Sequence, residues 1–374
     1  MIKKFCSFVA AAIIMLPAPI CSAEGLAGIS AKSYVLVEKN TGEIIFEKDP
    51  YVKLPMASTT KIMTTLLCLE SGDLDTPFVV DSEAIKTEGS SMGLVEGDIV
   101  TKRALCIGML LPSGNDAANA VAVHLGGTFE GFAKMMNQRA AKIGMTRTCF
   151  VTPSGLEAEG HGSSAYDMAL LAGEAMKNED FAGICSKQTM KLSFGNPPYD
   201  RWLKNTNKLL GSCDGVNGVK TGFTDEAGRC LVSSCERNGI SLICVTLNDP
   251  NDYADHKALY DKGFSMMEKY TVSASGCTVN VVGGEKDTLR LAADTSVSFG
   301  VRKSDIPETE QELNIKHFLY APVEKDTYAG TVNYYCRGRY VGSSLLYTAE
   351  GTDIKKTEKK QNLFQKIRDF FIEL

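Results

Sequence analysis

Leu54-Pro55-Met56-Ala57-Ser58-Thr59-Thr60-Lys61-Ile62-Met63 sets a serine and a lysine three residues apart at the start of an apolar-periodic segment. On a helix, positions i and i+3 share a face, so the Ser58 hydroxyl and the Lys61 amine fall within reach of each other. A hydroxyl beside a base is the least that a weak nucleophile needs for covalent catalysis. Ile62, Met63, Leu66, Leu67 and Leu69 recur at helical spacing, which predicts a largely buried helix to about Glu70, stopped by Ser71-Gly72.

Working outward, Tyr34-Val35-Leu36-Val37 and Glu43-Ile44-Ile45-Phe46 flank Asn40-Thr41-Gly42 and read as a β-hairpin. On the other side, Lys102 to Leu111, Asp116 to Leu125, Phe129 to Ile143 and Ala165 to Lys177 have helical periodicity, with Pro112-Ser113-Gly114-Asn115 separating the first two. From Val219 the period becomes that of strands: Gly218 to Gly222, Arg229 to Ser234 and Ile240 to Leu247, the last two joined by an Asn238-Gly239 turn. A helix is expected from Asp255 to Glu268. Strands at both ends with helices between predict an α+β domain over residues 24–271, its sheet assembled from distant parts of the chain. Residues 272–350 are short Thr/Val/Tyr-rich segments with regular turns and predict a small all-β domain without a catalytic cluster.

The termini point to export. Lys3 and Lys4, an apolar run from Phe5 to Ile20, and Cys21-Ser22-Ala23 are the parts of a secretory signal peptide, expected over residues 1–23; Pro17 and Pro19 interrupt the run, which is short for a membrane span. At the other end, residues 351–374 hold Leu363, Phe364, Ile367, Phe370, Phe371 and Leu374 on one helical stripe, with Lys359, Lys360, Lys366 and Arg368 largely elsewhere. A cationic amphipathic helix of this kind predicts association with a membrane surface; docking on its own β domain is the plainer alternative. A formal net charge of -5 argues against nucleic-acid binding. Of twelve cysteines, ten remain after the leader and show no framework spacing; Cys68, Cys106 and Cys244 sit in apolar runs as small hydrophobes. The four histidines lack metal-ligand spacing, so neither a metal nor a cofactor is expected.

Three short patterns then stand together. Ser58-Thr59-Thr60-Lys61 is the chain's single S-x-x-K, Ser113-Gly114-Asn115 its single S-x-N and Lys220-Thr221-Gly222 its single K-T-G. Each alone is weak, because a serine at a helix start is usually a cap. In this order, in an exported α+β chain, they are specific. The sequence resembles the penicillin-recognising serine acyl-transferases, and among them the D-alanyl-D-alanine carboxypeptidases of the low-molecular-mass penicillin-binding proteins. Thr152-Pro153-Ser154-Gly155-Leu156 with His161, Ala165-Tyr166-Asp167-Met168-Ala169, and Phe223-Thr224 with Ala227-Gly228-Arg229 narrow the likeness, which runs from Ala31 to the tail.

The resemblance implies a β-lactamase/transpeptidase-like catalytic domain, an antiparallel sheet with helical clusters. Its substrate would be the peptidoglycan stem peptide, with β-lactam antibiotics as acylating inhibitors. It implies Ser58 as nucleophile, Lys61 as a base whose ammonium is destabilised by burial and by Lys220, and Ser113 as a proton relay to the departing D-alanine. Asn115 would hold the substrate peptide and Lys61. Lys220 and Thr221 suit the terminal carboxylate, Gly222 permits close approach of the strand, and the N–H groups of Ser58 and Phe223 form an oxyanion hole. Some relatives carry histidine where this chain has Phe223. Some also have an arginine after the strand ending at Leu247, where this chain has Asn248-Asp249-Pro250-Asn251-Asp252; carboxylate recognition is then expected to lean on Lys220 and Thr221. His161 is read as a structural hydrogen-bonder, and Arg229 faces either the pocket or a salt bridge.

Three other functions bear weighing. A D,D-endopeptidase cutting cross-links would carry identical motifs and differ only in pocket access. A class A β-lactamase needs a glutamate-held water; Glu157 and Glu159 lie in the right region without the E-x-x-L-N surroundings. A non-enzymatic wall-binding module would not need Ser58, Lys61, Ser113, Asn115 and Lys220 intact.

Overall fold

The computed structural model describes residues 25–356 and 372. The predicted signal peptide and most of the predicted amphipathic tail lie outside the described residues; the expected start of that tail at residue 351 is corrected, because Thr352 and Ile354 form antiparallel bridges with Val323 and Gly284. The α+β expectation holds. In chain order the first part contains β1 (Ser33–Glu38), β2 (Ile44–Lys48), a 3₁₀ turn (Ala57–Thr60) and α1 (Lys61–Glu70). Two short strands follow, β3 (Phe78–Val79) and β4 (Ile99–Val100), then α2 (Lys102–Leu110), α3 (Asn115–Gly126), α4 (Phe129–Ile143), α5 (Ala165–Ala175) and α6 (Glu179–Cys185). After them come β5 (Thr189–Gly195), β6 (Pro198–Lys204), β7 (Val216–Thr224), β8 (Gly228–Arg237), β9 (Ile240–Leu247) and α7 (Asp252–Met266).

The central sheet is antiparallel with order β2-β1-β9-β8-β7, so the first hairpin joins strands from some two hundred residues later in the chain. Successive side chains of a strand point to opposite faces. Val35 and Val37 accordingly pack with α1, α3 and α5 in one core, while Tyr34 and Leu36 pack with Leu259 and Tyr260 of α7 in another. Covered on both faces, β9 is buried from end to end, which is why Ile240–Leu247 reads as a nearly continuous apolar run. Asn238 and Gly239 both have positive φ, as a tight hairpin turn requires.

The expected helix from Asp255 to Glu268 is corrected at both ends. It starts at Asp252 and stops at Met266, because Met267–Val272 form β10 and pair antiparallel with β13 (Val297–Arg302). Pairing therefore carries the second sheet assembly back before the expected boundary at residue 272. The remaining strands are β11 (Thr278–Val282), β12 (Thr288–Ala293), β14 (Thr309–Ile315), β15 (Phe318–Tyr320), β16 (Tyr328–Cys336) and β17 (Arg339–Thr348), in sheet order β14-β16-β17-β12-β11-β15. They enclose a separate core around Leu289, Phe299, Val332 and Leu346. In the catalytic domain, α6, the β3–β4 pair and the β5–β6 hairpin had no counterpart in the sequence reading.

Candidate active site

Ser58 sits in the 3₁₀ turn rather than in the α-helix proper. The turn is fixed by Thr59 Oγ1 donating to Met56 O and Thr60 Oγ1 donating to Ala57 O at 2.8 Å. Ala57 has φ of +46°, a left-handed conformation that is uncommon for a residue with a Cβ. Gly155 (φ +88°) presses against the same turn; a Cβ there would stand 2.0 Å from Ala57 O. Gly222 does so from the other side, where a Cβ would come within 3.1 Å of Ser58 N. Two glycines thus let a loop and strand β7 close on one serine.

Lys61 opens α1 and is completely buried. Its Nζ lies 2.8 Å from Ser58 Oγ and donates to Asn115 Oδ1 at 2.7 Å and to Ser154 O at 2.7 Å. Burial pushes its pKa well below that of a free lysine, the Lys220 charge pushes the same way, and Asp116 opposes both. Lys220, also buried, is lowered to about 7 by burial and donates to Thr221 O.

Asn115 is the first residue of α3, and Asp116 beside it accepts from the N–H groups of Met92, Gly93 and Leu94. Asn115 N–H in turn donates to Ser90 O, and Asn115 Nδ2 to Glu88 O. The start of α3 therefore organises the 88–94 segment and brings Ser90 to the cleft. Ser113, just before it, is held at φ of +68°, another unusual conformation for a non-glycine residue.

Ser58, Ser113, Thr221, Gly222 and Phe223 line one cleft of about 260 Å³. Lys61, Asn115 and Lys220 lie beneath it, buried. The structure thus brings together the residues of all three motifs. Phe223 stands at the rim, 63% exposed. Arg229, left open between two readings, does both: it lines the cleft and pairs with Asp252 at 2.7 Å. His161 is 3.0 Å from Thr60 Oγ1 through Nε2 and accepts from Val151 N–H at Nδ1; burial lowers its pKa to about 4, so it is neutral. Glu157 accepts from Glu226 N–H, and neither it nor Glu159 lines the cleft.

Sequence reasoning missed Ser90, Ser154, Thr206, Asp252 and Tyr253. Only Ser154 had a signal, since its Thr152–Leu156 stretch was already distinctive. Thr206 reaches the cleft by bonding Thr221, Oγ1 to Oγ1, at 2.6 Å, a tertiary contact with no local pattern behind it.

An antiparallel sheet flanked by helices, with a serine-lysine pair under an S-x-N turn and beside a K-T-G strand, defines a penicillin-recognising serine acyl-transferase. Comparison with known proteins takes the class further. Residues 21–251 match the family model described as D-alanyl-D-alanine carboxypeptidase, and residues 257–353 match that of the penicillin-binding protein 5 C-terminal domain. The chain belongs to the D-alanyl-D-alanine carboxypeptidase family and is a serine-type peptidase of that specificity. It is 34% identical to D-alanyl-D-alanine carboxypeptidase DacF of Bacillus subtilis over 87% of this chain and 86% of that one. With DacA of Escherichia coli it shares 29% over 92% and 88%. Among solved structures, penicillin-binding protein 5 of Haemophilus influenzae matches with a TM-score of 0.63 and 28% identity, covering 87% of this chain and 98% of that one.

Proposed function

We propose that Ser58 attacks the carbonyl of the terminal D-alanyl-D-alanine bond of a peptidoglycan stem and becomes acylated, with neutral Lys61 taking its proton. The observation that carries this reading is the triple coordination of the buried Lys61 amine by Ser58 Oγ, Asn115 Oδ1 and Ser154 O. Ser113, beside Ser58 in the cleft, passes the proton to the departing D-alanine. Lys220, Thr221 and Arg229 draw its carboxylate, and the N–H groups of Ser58 and Phe223 receive the developing oxyanion. Water then releases the acyl group. A β-lactam acylates the same serine because its strained amide occupies the place of the scissile bond.

The test is D-alanine release from a pentapeptide stem together with labelling by fluorescent penicillin. Wild type does both and Ser58→Ala does neither. An undiminished label on Ser58→Ala would sink the mechanism.

We also propose that residues 1–23 direct export and that the segment beyond Ile354 holds the enzyme to the outer face of the cytoplasmic membrane, facing its substrate. Lysines beside an apolar stripe favour an anionic membrane surface. No helix among the described residues is long and apolar enough to cross a membrane. Deleting 353–374 is expected to move the protein from the membrane fraction to the soluble one; continued sedimentation with membranes removes the anchor.

A further inference from the structure

A second cleft opens where the two domains meet. It holds about 420 Å³ and shares no residue with the catalytic one. Buried Val37 of β1 and Ile243 of β9 form its floor, three and two strands across the sheet from the K-T-G strand β7. Tyr166, Leu170 and Gly173, a stripe of α5 at i, i+4, i+7 spacing, form one wall.

The rim is cationic. Lys39 comes from the turn after β1, Lys142 from the last turn of α4, Lys177 from just past α5, and Arg339 from the start of β17 in the β domain. The single carboxylate lining the cleft, Glu174, is already taken by Arg139 at 2.7 Å and Lys177 at 3.0 Å. Lys39, Lys142 and Arg339 have no carboxylate partner among the described residues. A chain of net charge -5 thus gathers three unengaged cations around one concavity, where low-dielectric walls focus their field.

Its sides are held in place by the fold. The Glu38 carboxylate accepts from the N–H groups of Asn40 and Thr41, which fixes the turn that carries Lys39. From the other domain, the Arg339 guanidinium fills the space over Gly42, where a Cβ would stand 1.3 Å from its Nη1. Tyr340 beside it is half-exposed, lines the cleft, and is braced edge-on by Tyr335 with ring centroids 5.9 Å apart. Guanidinium and ammonium groups take carboxylates. A tyrosine offers an apolar face and a polar tip, as a sugar ring offers a C–H face and a hydroxyl edge.

We infer that this cleft binds an acidic glycan, sugar rings in series that bear carboxylates, separately from the Ser58 cleft. In the cell wall that chemistry is the peptidoglycan strand, whose alternate sugars carry lactyl groups that end in free carboxylates wherever the stem is gone. The inference takes the polymer's identity from the peptidoglycan reading and uses no step of the acyl-enzyme mechanism. A strand seated here touches both domains, which gives the β domain a part in holding the wall.

The test measures binding of the full-length protein to three soluble probes: wall glycan strands stripped of their stems, neutral chitin oligosaccharides, and unsubstituted poly(glycerol phosphate). None carries a D-alanyl-D-alanine end, so none reports on the Ser58 cleft. Stripped strands are expected to bind, less tightly as salt is raised, and the other two roughly tenfold more weakly. Arg339→Gln and Lys142→Gln each raise the Kd for stripped strands roughly tenfold, the scale of one charge-assisted hydrogen bond, and Tyr340→Ala raises it about fivefold. Lys142 is exposed, so its variant keeps the fold whatever Arg339→Gln does to the domain junction. Penicillin labelling and D-alanine release from a short pentapeptide stay within about twofold in both. A wild type that ignores stripped strands, or a Kd unchanged in both charge variants, overturns the inference. Equal affinity for poly(glycerol phosphate) overturns the glycan, and equal affinity for chitin oligosaccharides overturns the carboxylates. Failure of the Ser58 reading shows instead as a wild type that penicillin does not label, a channel the glycan probes do not touch.

Discussion

Lys61 Nζ stands 2.8 Å from Ser58 Oγ, and its other two partners, Asn115 Oδ1 and Ser154 O, can only accept. A neutral amine has two hydrogens and one lone pair. The two hydrogens are taken by the two oxygens, so the lone pair is left toward the one partner that can donate. Orientation and protonation state are thereby coupled: the geometry that satisfies the neutral amine also aims it as a base. Because burial first, and the Lys220 charge second, lower the Lys61 pKa, acylation is expected to fall on the acid side as Lys61 gains its proton. Lys220→Met removes the second cause but leaves the first. Its acid limb, read from penicillin acylation rate against pH, should move to higher pH. An unmoved limb would mean that Lys220 does not act on Lys61 through charge.

The same lysines tie stability to pH. Lys220 titrates near 7 in the folded chain and at 10.5 when free, so between these values the unfolded chain binds more protons. Stability then rises with pH across that window, and below about pH 7 the full cost of the buried site is present. Thermal midpoints for wild type should climb from pH 7 to pH 9, more steeply than for Lys220→Met. Equal slopes would count against burial as the cause of the shift.

Arg229 supplies cationic charge to the cleft despite the absence of an arginine after Leu247. Its guanidinium is half-exposed and only partly engaged by Asp252, leaving donors free for a carboxylate. Arg229→Gln should raise KM for peptides with a free terminal carboxylate by roughly tenfold, the equivalent of one charge-assisted hydrogen bond. Peptides with an amidated C-terminus should be turned over equally by both proteins. A KM rise on both substrates would point to loss of the Asp252 pairing instead.

Gly155 is required on two counts, its positive φ and its contact with the nucleophile turn. Gly155→Ala places a methyl group against Ala57 O and displaces both the turn and the Ser154 carbonyl that Lys61 bonds. A loss of about 2–4 kcal/mol is expected, typical of a Cβ forced into a left-handed, closely packed site, together with slower penicillin acylation. Chemical denaturation and acylation rate check the two effects separately.

The motifs were legible in the sequence because their chemistry depends on local spacing. Ser58 and Lys61 meet through one helical turn, and Phe129–Ile143 and Ile240–Leu247 declared their periods in full. What sequence could not supply was contact across the fold. Ser154 bonds Lys61 through its backbone carbonyl, for which any residue type would serve. Thr206 enters the cleft by way of Thr221, and Asp116 gathers a loop that precedes it by more than twenty residues. Met267 and Glu268, the first two residues of β10, read as the end of a helix because Lys262 to Glu268 continues a helical pattern; pairing with Val297–Arg302 overrides it, as tertiary context often overrides propensity.

That pairing brings the β domain against the catalytic domain through one buried carboxylate. Glu38, at the end of β1, is wholly inaccessible to solvent; its Oε1 accepts from Gly300 N–H in β13, and its Oε2 from the N–H groups of Asn40 and Thr41. Nearby, Arg302 donates to Glu43 and to the carbonyls of Ile44 and Ile45. Glu38→Ala leaves three N–H groups without their partner in a site closed to water, at a cost of about 2–4 kcal/mol after partial relaxation. The loss falls on the junction, so the β domain should come away first. Limited proteolysis should then cut near Met267–Val272 at temperatures where wild type resists. Penicillin labelling should persist, since Ser58, Lys61 and Lys220 are held within the catalytic domain. A single transition with unchanged protease resistance would show that the two cores, rather than Glu38, hold the domains together.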